Sequence, residues 1–133
     1  MKSTRLLRPL LIVHGVVTLA AAVVLVVLPA AIPGAVGIPV GVNAYLLCYF
    51  LAAAELAIGM LSLGAVRLAD VTALRLIVDV FIVFHLATAG LEVMYVVLTS
   101  ENPVLLANIA VRVFVAAVFF AARRSTRVTL QPS

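Results

Sequence analysis

The chain has 133 residues, of which 66% are hydrophobic and 11% charged, with a formal net charge of +4 and one cysteine. A soluble domain is nearer half apolar and a quarter charged, so this composition leaves too few polar side chains to cover a water-facing surface. At about 20 residues per crossing, the chain supplies about four membrane spans and has no room for a separate soluble domain.

Nucleic-acid binding requires basic side chains clustered on a solvated face. Here Lys2, Arg5, Arg8, Arg67, Arg75, Arg123, Arg124 and Arg127 sit at or beside the ends of apolar runs, the pattern of topology signals, so no nucleic-acid partner is expected. Cys48 has no second cysteine for an intrachain disulfide or a metal or redox pair, and reads as a small buried apolar residue.

The first span, 9–28, opens at Pro9, where the missing N–H costs nothing. Its basic flank resembles that of a signal peptide, yet the run is too long and ends in Leu28-Pro29 without a small-x-small cleavage site, so a retained helix is expected. Segment 29–43 holds three prolines, three glycines and no charge. It is expected either to lie in the interface or fold back over the helices, or to form a plain hairpin connection. The second span, 44–66, leads through a turn with Arg67 and Asp70 to the third, 71–98. Thr99-Ser100-Glu101-Asn102-Pro103 is a turn signal, and the fourth span, 104–122, ends at Arg123 and Arg124.

The expected fold class is all-α: a polytopic membrane protein whose single domain, 1–133, is an antiparallel four-transmembrane-helix bundle. Small residues on the second span (Ala52, Ala53, Ala54, Ala57, Gly59) and the fourth (Ala116, Ala117, Ala121) would let helices approach closely. The basic residues place the N and C termini in the cytoplasm and the chain in the cell inner (plasma) membrane.

Ionisable residues inside a span cost at least ~2.5 kcal/mol each on insertion scales and mark function by default. His14, Glu55, Asp79, His85, Glu92 and Arg112 lie there, with Asn108, Tyr45, Tyr49 and Tyr95 adding hydrogen-bonding capacity. On the third span His85, Thr88, Glu92 and Tyr95 form one stripe, and Arg75 and Asp79 another. On the second, Tyr45, Cys48, Ala52, Glu55, Gly59 and Ser62 line up. Depth counted along each helix gives two clusters: Glu55, His85, Glu92, Asn108 and Arg112 towards the centre and outer side, and His14 with Asp79, joined by Arg75, as a secondary inner cluster. Arg112 is expected to hold Glu55 or Glu92 in a bidentate pair, leaving the other carboxyl to take up a proton and so forming an acid–base pair. The structural alternative is a buried Arg–Glu–Asn network that fixes helix register, with the second carboxyl on a tyrosine. No HxxxH or ExxH spacing lies on one helix, so neither a metal nor a cofactor is expected.

Four short spans, a proline-bearing apolar loop after the first, and Asn108-x-x-x-Arg112 on the last resemble the small bacterial four-helix membrane proteins of the DoxX-like kind over most of the chain. In kind, a compact apolar bundle with isolated intramembrane acids is also similar to the membrane-bound terpene cyclases, whose acidic residues protonate an epoxide or alkene. Those have more helices, so no residue carries over. The reading that follows is a membrane enzyme performing acid–base chemistry, cyclisation or isomerisation, on a lipophilic, isoprenoid-like substrate. Glu55 or Glu92 would be the proton donor and the other the base or cation stabiliser, with Arg112 and Asn108 orienting them and His85 completing the catalytic set. Tyr45, Tyr49, Phe84, Tyr95 and Phe114 would bind substrate, the faces of Tyr49, Phe84 and Phe114 stabilising a carbocation. Expected partners are a lipophilic small molecule, membrane lipids and a second copy in a homo-oligomer. The alternatives are a proton-coupled exporter of small hydrophobic cations and a non-catalytic membrane subunit.

Overall fold

A computed structural model describes residues 6–99 and 102–125. Lys2, Arg5 and Arg127, and Ser100 and Glu101 of the expected turn, lie outside the described residues. Helix α1 spans Leu7–Val27, α2 Ala31–Ala35, α3 Tyr45–Ala65 (entered through a 3-10 turn, Val42–Ala44), α4 Val71–Leu98 and α5 Pro103–Arg124. Among the described residues there is no strand. The four long helices, α1, α3, α4 and α5, are long and apolar enough to cross a membrane, and no more than 28% of any span's most apolar window is buried inside the protein. Their outward faces carry large apolar side chains such as Val17, Leu47, Phe50, Leu76 and Leu91. Surfaces of that extent are stable only against lipid, so the fold is a multi-pass membrane bundle.

Local chemistry sets the helix ends. Pro9 is the third residue of α1 rather than its start, which costs no hydrogen bond because the first four N–H groups of a helix have no partner within it. Asp70 caps α4, its Oδ1 accepting from the Thr72 N–H at 2.8 Å. Asn102 caps α5 ahead of Pro103, accepting from the Val104 and Leu105 N–H groups at 2.9 and 3.3 Å. Arg123 and Arg124 occupy the last turn of α5, where cations offset the carbonyl end of the helix dipole, and Arg124 also stacks 4.6 Å over the Phe120 ring.

The spans pack as two tight pairs, α1 on α3 and α4 on α5. Gly15 and Gly59 make the first pair possible. A Cβ at Gly15 would stand 3.1 Å from the Gly59 carbonyl, and one at Gly59 would stand 3.2 Å from the Gly15 carbonyl, so the two backbones touch where they cross. The pairs join at the end where both termini emerge, through Leu7, Leu11, Ala65, Leu74, Val78, Phe81, Phe119 and Ala122. Towards the opposite end this core gives way to a hollow.

Segment 29–43 folds back across that opposite end, the first of its two expected courses. Ile32 and Val40 pack on Leu25, Cys48 and Ala52, and the Asn102 side-chain amide donates to the Val36 carbonyl at 2.7 Å. A plain hairpin would leave those apolar side chains and that carbonyl unmatched.

Candidate functional site

The hollow is a crevice of about 730 Å³ between α1 and α5, reached by Leu51 and Glu55 of α3 and by Phe84 and His85 of α4. Ala31, Ile32, Ala35 and Val36 roof it. Its walls are apolar except for His14, Thr18, Glu55, His85, Asn108 and Arg112. Val17, Val111 and Phe114 are exposed on its rim, so it opens sideways towards lipid.

Glu92 and Arg112 form the ion pair that bridges α4 and α5. Arg112 Nε and Asn108 Nδ2 both donate to Glu92 Oε1, at 3.0 and 2.8 Å. The expected bidentate geometry is not formed: Arg112 reaches Glu92 through Nε alone, at the oxygen that Asn108 shares. Glu92 Oε2 is buried with no hydrogen-bond partner among the described residues. Among the described residues the two Arg112 Nη groups make no hydrogen bond, and Arg112 lines the crevice. Glu92 stands behind Arg112 and is not a lining residue.

Glu55 is half-buried at the middle of α3 and lines the crevice without a hydrogen bond to any described residue. Arg112 lies within electrostatic range of it. No tyrosine takes this carboxyl. Tyr45 is half-buried and outside the crevice lining, Tyr95 is exposed, and Tyr49 lines a separate apolar groove of about 580 Å³ on the outer side of the α1–α3 pair. Apart from Tyr49, that groove is lined by aliphatic side chains and Met60 alone. Of the expected substrate-binding aromatics, Phe84 and Phe114 do line the crevice.

His14 and His85, assigned to different clusters from the sequence, meet directly. Ser62 Oγ donates to the Leu11 carbonyl at 2.9 Å, so the 3.0 Å contact between Ser62 Oγ and His14 Nδ1 has the imidazole N–H as donor. His14 Nε2 then bears the lone pair and accepts from His85 Nε2–H at 3.0 Å. The chain of bonds leaves His85 Nδ1 as a buried, unpartnered acceptor beside the crevice. Phe81 and Phe119 flank His14, with ring centroids 4.8 and 5.3 Å away, and Phe84 stands edge-on to His85 at 5.4 Å.

The inner cluster of His14 with Asp79 is therefore not formed. Asp79 pairs with Arg123, whose Nη2 donates to its Oδ2 at 2.9 Å, and both side chains are more than a third exposed at the end that bears the termini. The contacts put His85 level with His14 and Asp79 level with Arg123 in the last turn of α5, so depth counted from the end of α4, at 28 residues the longest of the four spans, is too great. Ser62, which orients both histidines, was visible in the sequence only as one member of the α3 stripe. Asn102, which caps α5 and holds the roof, was visible only as part of a turn. No group of three or more potential metal-binding side chains occurs among the described residues. Comparison of the chain with family models, curated proteins and solved structures gives no match, so the site itself has to carry the functional reading.

Proposed function

We propose that the chain is a membrane-embedded enzyme of the cell inner membrane, with both termini cytoplasmic, that isomerises or cyclises a lipophilic, isoprenoid-like molecule by acid–base chemistry. One observation carries this reading: Glu55 places a carboxyl with no hydrogen-bond partner among the described residues in an apolar, ligand-sized crevice that opens to the bilayer. A carboxyl left unsatisfied in such surroundings is costly unless something else meets it, and the groups around it are those of an acid–base site. Glu55 would move a proton from one substrate carbon to another, so the bond order shifts and the mass does not change. His85, held by His14 and Ser62, offers a second proton acceptor at the wall. Glu92 and Asn108 hold Arg112 in place and do not themselves line up with Glu55 as an acid–base pair.

A cation exporter receives less support. The apolar core from Leu7 to Ala122 closes the end through which cargo would have to pass. Protein in lipid nanodiscs, incubated with isoprenoid and polyketide precursors, should yield mass-neutral products, and Glu55→Gln should abolish turnover while binding survives. If no precursor is transformed and Glu55→Gln instead removes pH-driven efflux of a cationic dye, the exporter is correct.

A further inference from the structure

Resting on that enzymatic reading, we infer that the substrate is a carbonyl compound, with Arg112 holding its oxygen and Glu55 taking and returning the proton on carbon.

The charge in the crevice favours this class. Arg112 meets Glu92 through Nε alone, its Nη groups make no hydrogen bond to any described residue, and the side chain lines the crevice. These are forked N–H donors facing a low-dielectric space, and they sit near the middle of the bundle, where water is scarce. A donor pair of this kind stabilises negative charge that develops on a ligand oxygen. Glu92 already compensates Arg112, so a fully anionic headgroup such as a carboxylate would bring a charge with no counterpart. A neutral carbonyl brings only an acceptor, and acquires charge only as the reaction proceeds.

The step balances within the site. Glu55 removes a proton from the carbon next to the carbonyl. The C–H electron pair forms a carbon–carbon double bond, and the carbonyl π pair moves to oxygen, where Arg112 N–H groups hold it. For a β,γ-unsaturated ketone, Glu55 then returns the proton to the γ carbon, the C=O re-forms and the alkene moves into conjugation. One proton leaves, one returns, and no oxidant or co-reactant is consumed. Proton transfer between two carbons of one face by a single carboxyl fits the open position of Glu55 at mid-helix.

Farnesylacetone, a lipophilic isoprenoid ketone, and the alcohol obtained by reducing it are matched probes. With the protein in nanodiscs, binding of each is measured by native mass spectrometry, and exchange of the ketone's α hydrogens in heavy water is followed by mass. The wild type should prefer ketone over alcohol and accelerate exchange. Arg112→Lys keeps a cation for Glu92 and loses the fork, so it should slow exchange about 100-fold and lose the ketone preference. Glu55→Gln should stop exchange and keep the preference. The charge-neutral double variant Arg112→Gln with Glu92→Gln avoids an unpaired carboxylate and should behave as Arg112→Lys, so a folding defect in one variant does not decide the result. Equal binding of ketone and alcohol, or exchange unaffected by both Arg112 variants, overturns the carbonyl assignment. If a polyene hydrocarbon is isomerised in a Glu55-dependent way while the ketone is ignored, the acid–base reading survives and the carbonyl assignment falls. If no probe of either class binds, both fall.

Discussion

Asn102 joins two elements with one amide. Its oxygen caps α5 and its nitrogen donates to the carbonyl of Val36, so the roof of the crevice is tied to the first turn of a spanning helix. Gly37 makes room for that contact: its φ is +78°, a conformation L side chains rarely adopt, and a Cβ there would lie 2.5 Å from Asn102 Nδ2. Asn102→Asp keeps the cap and removes the donor, whereas Gly37→Ala keeps the donor and removes its space. Cys48, the sole cysteine, is buried under the roof against Leu25 and is a native reporter of its opening. Loss of one hydrogen bond, about 1 kcal/mol, should raise the open population about fivefold, and thiol labelling of Cys48 should accelerate to match in both variants. Unchanged labelling in both would show that the roof is held elsewhere. At this scale the sequence was least legible. Histidine pairing, the direction of the Ser62 bond and the amide of Asn102 depend on how side chains from distant segments meet, and no local pattern encodes that.

The α1–α3 crossing is the element on which the histidine chain depends, because Ser62 and His14 come from its two helices. Gly59→Val would press on Leu19, 2.7 Å from the added Cβ, and on the backbone of α1. The expected cost is about 1–3 kcal/mol of stability in detergent, from overpacking. Gly90 supplies the contrast: it lies within α4 with nothing within 4 Å of an added Cβ. Gly90→Ala should stabilise by about 0.5–1 kcal/mol through backbone entropy alone. Thermal unfolding of both variants checks the pair, and an equal response would mean that the helices do not cross where Gly15 and Gly59 touch. The elements themselves were legible: 71–98 coincides with α4, and the other spans differ by one or two residues at their ends. Their relative offset was not, since hydrophobicity marks a span without saying how far it overhangs its neighbour.

At the scale of the whole molecule, the described basic residues Arg8, Arg67, Arg75, Arg123 and Arg124 all lie at the end bearing the termini, and Arg112 is the exception in mid-span. The positive-inside asymmetry predicts that a reporter fused after Ser133 is cytoplasmic and one inserted in 29–43 lies on the opposite side. Reversed signals would overturn the orientation. Composition alone made the four-helix architecture legible, because a chain this apolar has few other folds open to it. The crevice was not legible, because its walls and the lipid-facing surface use the same Val, Leu and Phe.

A crevice that opens sideways into the bilayer is never vacant in its native setting. Neighbouring acyl chains are present at enormous local abundance and fit between Val17 and Val111 as well as any hydrocarbon tail does. A ligand must therefore displace lipid, and what it gains over lipid comes only from the polar groups on the wall, since the hydrophobic contribution cancels in the exchange. Apparent affinity should then follow the ligand's mole fraction in the membrane instead of its concentration in buffer, and should fall when the host lipids have thin, flexible chains that pack readily into the groove.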